Sequence, residues 1–273
     1  MPTSSDQPIE LSLIAPAHDE QENIPELVRQ AHEALNKCQV PFEFIIVDDG
    51  STDRTRAIVA SMLPSRPWLR CVAMSKTPPG KGNGQSAAFF AGVRAARGRL
   101  IATIDADLQN DPGDLPAMLK LLREKNADMV QGDRSHARKD NFVRKITSAI
   151  GRFFRRMILA DVVRDTGCSL RVMKREIADQ LPLQFKGVHR FIPFSAHSMG
   201  YKVVEMNVTH RPRVAGETKY GFGIWQRALP GLIDCFAMRW MHKRRRNVES
   251  VEVAGDVRTI EPKVTGVTLE THA

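Results

Sequence analysis

Residues 100–112, LIATIDADLQNDP, run from an apolar stretch straight into two carboxylates, Asp105 and Asp107, and on to Asp111-Pro112. The apolar part is too short for a helix and reads as a buried strand. Asp before Pro reads as a helix start. The same grammar repeats on either side. Residues 11–16, 42–47, 69–74 and 128–131 are further short runs rich in Ile, Val and Leu. Helix-patterned segments fall between them, near 23–37, 53–63, 85–97 and 113–125. This alternation over the first 132 residues predicts an α/β fold, a mostly parallel central sheet flanked by helices. Ligands of such sheets bind beyond the carboxyl ends of the strands.

Three strand ends then stand out. The first strand runs into Pro16-Ala17-His18-Asp19-Glu20, the second into Val47-Asp48-Asp49-Gly50-Ser51, and the fourth into Asp105-Ala106-Asp107-Leu108-Gln109. Clustered acids at a strand end are costly unless a cation or hydrogen-bond donors satisfy them. Asp105 and Asp107 suit a hard divalent cation, Mg²⁺ or Mn²⁺, that bridges to phosphates. The plainer reading is that these acids cap the following helices. Three such ends together favour a ligand site.

Composition narrows the partners. The 273 residues carry 40 Lys+Arg against 31 Asp+Glu, a net charge of +9, so an anionic partner is expected. Aromatic residues make up only 6%, too few for a surface of stacked bases, so nucleic acid is not the expected partner. Hydropathy predicts no transmembrane helix, and the polar start, residues 1–10, does not read as a signal peptide. Cys38, Cys71, Cys168 and Cys235 are scattered without metal spacing and read as free thiols in a reducing compartment.

After residue 132 the pattern changes. Residues 134–156 hold eight Lys/Arg and one acid, Asp140, and Phe142, Ile146, Ile150, Phe153, Met157 and Ile158 recur at helical spacing. A basic amphipathic helix over 142–158 is predicted, lying on an anionic membrane surface in preference to being a solvated face. Strands are expected at 169–173 and 202–208, and a helix near 189–199. Residues 222–241 are apolar but interrupted by Arg227, Pro230, Asp234 and Arg239, and Lys243–Arg246 follows them. This segment reads either as an interfacial anchor or as a helix packed on the domain. Residues 247–273, with five acids and two bases, read as a disordered tail.

The motifs resemble family 2 glycosyltransferases of GT-A fold, and more narrowly the dolichyl-phosphate or polyprenyl-phosphate mannosyl- and glycosyltransferases. The matching blocks are PAHDE (16–20), VDDGSTD (47–53), GNGQSAAFFAG (82–92), DADLQNDP (105–112), GDR (132–134), DTGCSLR (165–171), HRFIP (189–193) and HRPRVAGETKYG (210–221). The family has Tyr-Asn where His18-Asp19 stand. The resemblance implies a GT-A domain over 1–221, a basic amphipathic segment over 222–246 and a tail over 247–273. It implies that Pro16, Ala17, His18, Glu20, Val47, Asp48, Asp49, Asp105 and Ala106 hold a GDP- or UDP-sugar. Arg213 and Lys219 would reach its phosphates from a glycine-containing lid. Asp107 and Gln109 would hold the metal. Arg134, with Arg144 and Lys145, would face the acceptor phosphate.

The implied reaction is inverting transfer of mannose or glucose to a polyprenyl or dolichyl phosphate. A phosphate oxygen is already ionised at neutral pH and needs no strong base. The implied location is peripheral, on the cytoplasmic face of a membrane, alone or with a membrane-protein partner. Two other readings stay open: transfer to a sugar or protein hydroxyl, which requires a base, and a non-catalytic basic module that binds anions. His18 and His189 read as site lining or packing. Asp165 reads as structural, a partner for Arg171. Gly82 and Gly84 sit too far from the preceding strand for a nicotinamide fingerprint.

Overall fold

The computed structural model of the protein describes residues 8–78, 80–136, 151, 153–161, 163–212 and 224–246. Arg144, Lys145, Arg213, Lys219 and the tail 247–273 lie outside the described residues. Seven strands form one sheet: β1 (Leu11–Ala17), β2 (Phe42–Asp48), β3 (Leu69–Ala73), β4 (Leu100–Thr103), β5 (Met129–Asp133), β6 (Arg171–Lys174) and β7 (Val203–Asn207). Their order is β3-β2-β1-β4-β6-β5-β7. Only β6 runs antiparallel to its neighbours, β4 and β5; every other pairing is parallel.

Alternation along the strands builds two cores. Leu11, Leu13, Ala15 and Ala17 of β1, with Phe44 and Ile46 of β2, face one layer. Ile14, Ile45 and Val47 face the other. The first layer packs under α1 (Ile24–Lys37), α2 (Thr55–Met62) and α4 (Leu115–Glu124). In α1 the buried residues Ile24, Leu27, Val28, Ala31, Ala34 and Leu35 form one helical stripe, and Pro25 opens its first turn. The second layer packs under α3 (Gln85–Ala95) and the helices Arg175–Gln180, Ile192–Ser198 and Ile224–Arg244.

The expected strands and first four helices are present within two residues at each end, and the sheet is α/β as expected. Arg175–Gln180 was not legible; at six residues it is too short to show a period. Pro230 does not end the C-terminal helix, which runs continuously over Ile224–Arg244. Its Cys235 and Met238 are buried against the domain, while Ile233, Phe236 and Trp240 are exposed. Residues 153–159 are helical, as expected; Ile158 and Leu159 are buried while Phe153 and Met157 are about 60% exposed, so the apolar residues divide between core and surface. Arg239 donates to the Ile158 carbonyl and ties these two helices together. Among the described residues, no helix is long and apolar enough to cross a membrane.

A buried carboxylate fastens the sheet edge opposite the acidic strand ends. Glu43, second in β2 and fully buried, accepts from Ser12 Oγ at 2.7 Å and Arg70 Nη1 at 2.7 Å. It also accepts from the Arg97 backbone N–H at 2.6 Å and Arg97 Nε at 2.9 Å. Burial pushes its pKa up, but these donors outweigh burial and hold it below the ordinary value. Stability from this group is therefore complete above about pH 4.3 and lost as pH falls through the lowered folded value. Glu43→Gln should lower the unfolding free energy by about 1–3 kcal/mol at pH 7. In urea titrations, that difference should shrink as pH falls below the ordinary glutamate range.

Candidate functional site

The parallel register carries the acidic strand ends to one edge. Ala17 pairs with Asp48, and Ile14 with Thr103, so the segments after β2, β1 and β4 emerge side by side. β5 and β7 end at the same edge, and β6, running backwards, begins there. The expected cluster is therefore spatially real.

Asp49 organises the loop beyond β2. It is nearly buried, and its Oδ1 accepts from the Asn83 N–H at 2.8 Å and its Oδ2 from the Gly84 N–H at 2.7 Å. Gly82 approaches so closely, at φ +61, that a Cβ there would lie 2.6 Å from Asp49 Oδ2. Glycine is required by both the contact and the left-handed backbone. Asp48 is fully buried. Its Oδ1 accepts from the Ser51 N–H at 3.1 Å and its Oδ2 from Arg56 Nε at 2.6 Å. Its carboxylate is thus engaged by the turn after β2.

The segment after β1 docks on that turn. His18 Nδ1–H donates to the Asp49 carbonyl at 2.8 Å. Asp19, at φ +53, accepts from the Thr52 N–H at 2.7 Å. The Glu20 N–H donates to Thr55 Oγ1 at 2.8 Å, and its carboxylate accepts from Asn23 at 2.7 Å. Pro16, His18 and Glu20 are partly exposed, while Ala17 and Val47 are buried, one in each of the two cores.

Beyond β4, Leu108 adopts φ +60 and turns the chain so that the Gln109 N–H donates to Asp107 Oδ1 at 3.2 Å. Gln85, first residue of α3, donates to Asp105 Oδ1. Burial and the neighbouring Asp107 push the Asp105 pKa up to about 6, with Ser169, Arg134 and Arg171 opposing. After β7, the Arg211 N–H donates to the Gln109 carbonyl at 2.8 Å, and Asn110 bridges to His210. This fastens the entry to 213–221 against the Asp107 turn. Among the described residues there is no group of three or more His, Cys, Asp or Glu fit to hold a metal. The two carboxylates of the β4 turn still fit Mg²⁺ or Mn²⁺, which take one or two protein carboxylates and complete their shell with substrate phosphates and water.

Arg134 follows β5 and is buried against Asp165. Its Nε donates to Asp165 Oδ2 at 2.8 Å, its Nη2 to Oδ1 at 3.2 Å and its backbone N–H to Oδ2 at 3.2 Å. Burial works against its charge, but the Asp165 hydrogen bonds and charge prevail and raise its pKa. The expected Asp165–Arg171 pair is corrected here. Arg171 points instead at backbone, donating to the Cys168 and His189 carbonyls, and burial pulls its pKa down to about 10. The reason is position: Arg134 and Asp165 both lie in the β5–β6 connection, while Arg171 is the first residue of β6. Burial pushes the Cys168 thiol up to about 11, so it is no nucleophile at neutral pH.

Gln85 and Ser86 were missed as individual residues. Ser86 Oγ lies 2.7 Å from His189 Nδ1 and accepts the His189 N–H at 3.1 Å. Their run, GNGQS, showed only a loop and a helix start; no sequence period announces a contact across 103 positions.

Asp165→Ala leaves a buried guanidinium uncompensated and should cost about 3–5 kcal/mol of unfolding free energy. Asp165→Asn, which keeps an acceptor oxygen, should cost less; urea titration of both variants checks this.

Comparison with known proteins agrees with this architecture. The model of the glycosyl transferase family 2 matches residues 12–181. A dodecaprenyl-phosphate galacturonate synthase of Rhizobium johnstonii is 36% identical over 239 residues, covering 86% of this chain and 69% of that protein. An undecaprenyl-phosphate 4-deoxy-4-formamido-L-arabinose transferase of Photorhabdus laumondii is 32% identical, covering 80% of this chain and 65% of that protein. The chain thus spans about two thirds of these relatives' lengths. Among solved structures, a glucosyl-3-phosphoglycerate synthase from Mycobacterium tuberculosis, in complex with Mn²⁺, UDP and glucosyl-3-phosphoglycerate, superposes with a TM-score of 0.61. It is 18% identical, with 84% of this chain and 80% of that one covered, a likeness of fold. The chain belongs to glycosyl transferase family 2 and has the GT-A fold.

Proposed function

We propose that the chain transfers a sugar, with inversion, from a nucleotide-sugar donor to a polyprenyl phosphate. The observation that carries this is the shared sheet edge: the Asp48-Asp49, Asp105-x-Asp107 and Arg134 ends converge there. The two polyprenyl-phosphate transferases related to the chain supply the acceptor class. They are named for galacturonate and a formamido-arabinose, so the donor range extends beyond the mannose and glucose first expected.

In this reading Pro16, Ala17, His18, Glu20 and Val47 form the nucleoside wall, held in shape by Asp48 and Asp49. Asp105 and Ala106 continue that wall. Asp107, with Gln109, would hold Mg²⁺ or Mn²⁺, which supplies charge neutralisation for the departing diphosphate when bound. Arg213 and Lys219, outside the described residues, would be the further cations for the donor phosphates. Arg134 keeps Nε and Nη2 on Asp165. That fixes the guanidinium plane; Nη1 would then serve the acceptor phosphate, with Arg144 and Lys145 as further cations. The acceptor oxygen attacks the anomeric carbon in line, already ionised, so no side chain must take its proton.

Transfer to a hydroxyl fits less well, because Asp165, the best acid outside the nucleotide site, is occupied by Arg134. A non-catalytic anion-binding module leaves the Asp105–Asp107 pair without a purpose. The exposed Phe153, Met157, Ile233, Phe236 and Trp240, beside Lys243–Arg246, suit a peripheral seat on an anionic cytoplasmic membrane face. A membrane-protein partner suits that patch as well.

Purified protein with Mn²⁺ or Mg²⁺, a polyprenyl phosphate and labelled UDP-galacturonate, UDP-glucose or GDP-mannose should yield a lipid-linked sugar. Absence of product with every donor overturns the proposal. Asp107→Ala should reduce transfer by a factor of at least about 100 while leaving the melting temperature close to wild type. Retained activity would remove Asp107 from the metal site.

A further inference from the structure

We propose that His189 is a specificity contact to the transferred sugar, donating its Nε2–H to a sugar oxygen of the bound donor. This rests on the reading of the acidic strand ends as a nucleotide-sugar site. Three consecutive residues at the start of α3 place the imidazole. The Gly84 N–H is tied to Asp49, the Gln85 side chain to Asp105, and Ser86 Oγ to His189. The order along α3 is thus the β2 end, then the β4 end, then His189. A donor with its nucleoside over β1 and β2 and its diphosphate at the β4 turn carries its sugar onward in that same direction.

The chemistry of the ring follows from its partners. Ser86 Oγ accepts the His189 backbone N–H at 3.1 Å, so its own proton is free to point at Nδ1, 2.7 Å away. Nδ1 is then the acceptor, and in the neutral ring Nε2 carries the hydrogen. Burial, with Arg190 and Arg171 close by, pulls the pKa down to about 3 and keeps the ring neutral at physiological pH. The carbonyl of His189 accepts from Arg171 Nη1 at 3.0 Å, which fixes the backbone beneath the ring. Backbone N–H, carbonyl and Nδ1 are all engaged, and the residue is partly exposed. Among the described residues Nε2 has no partner, and it is not sealed from solvent. A fixed, neutral N–H donor of this kind cannot serve as a base. It suits a sugar hydroxyl or carboxylate oxygen, and loss of such a contact discriminates between sugars.

The test compares His189→Asn and His189→Gln with wild type. Asn offers an acceptor to Ser86 in place of Nδ1 but stops short of Nε2; Gln reaches the Nε2 position with an N–H donor. The donor is whichever of UDP-galacturonate, UDP-glucose and GDP-mannose the wild type turns over, with free UDP or GDP as the sugarless probe. His189→Asn should lower kcat/KM for the donor roughly ten-fold, the worth of one hydrogen bond. It should leave the nucleoside diphosphate Kd and the melting temperature unchanged, and His189→Gln should recover part of the loss. Unchanged kcat/KM in His189→Asn overturns the inference, as does a parallel fall in diphosphate binding and melting temperature, the mark of a packing role. If the wild type turns over no donor, the reading of the site falls and this inference with it.

Discussion

A buried carboxylate that accepts two backbone N–H groups holds the site together. Asp49 leaves β2 at the sheet edge and fixes the start of α3 through Asn83 and Gly84. Without those donors its charge would be costly to bury. With them, the first turn of α3 is set against the strand ends, and Gln85 and Ser86 meet Asp105 and His189. His18 closes the same unit from β1 by donating to the Asp49 carbonyl. The segment after β1 and the start of α3 are both tied to this one residue.

Charge is handled differently at the two edges of the sheet. At the far edge Glu43 is fully satisfied by cationic and neutral donors, and nothing there asks for a ligand. At the site edge burial, together with the neighbouring Asp107, raises the pKa of Asp105, so its charge is less well satisfied than that of Glu43. Arg134 and Asp165 lie between these extremes: a buried cation and a buried anion that neutralise each other through a two-point fork.

Much of this was legible in the sequence because strand–helix alternation has a strong period and strand ends follow from it. The carboxylates after β1, β2 and β4 could be placed together before any coordinates, since parallel strands must end at one edge. Side-chain pairing was not legible. Asp165 was matched to Arg171 on nearness in the chain, whereas three-dimensional packing gives it to Arg134. The Ser86–His189 contact joins positions too distant for any local pattern. Phe153 and Met157 fit a helical period, yet period alone does not say which face meets the core. Pro230 was read as a break, but its helix continues through it.

The reversed strand β6 has a consequence for how such a protein can change. Gln131 of β5 pairs with Arg171 of β6, so the chain leaves the sheet after β5 and re-enters it at the same edge. The connection between them is therefore an excursion whose two ends are pinned side by side. It can lengthen, shorten or be exchanged without disturbing the register of any strand. The half of the cleft on β1, β2 and β4 has no such freedom, because each of its loops must span the sheet to the next parallel strand. Divergence among such chains should therefore collect in the excursion, while the ends of β1, β2 and β4 keep their geometry.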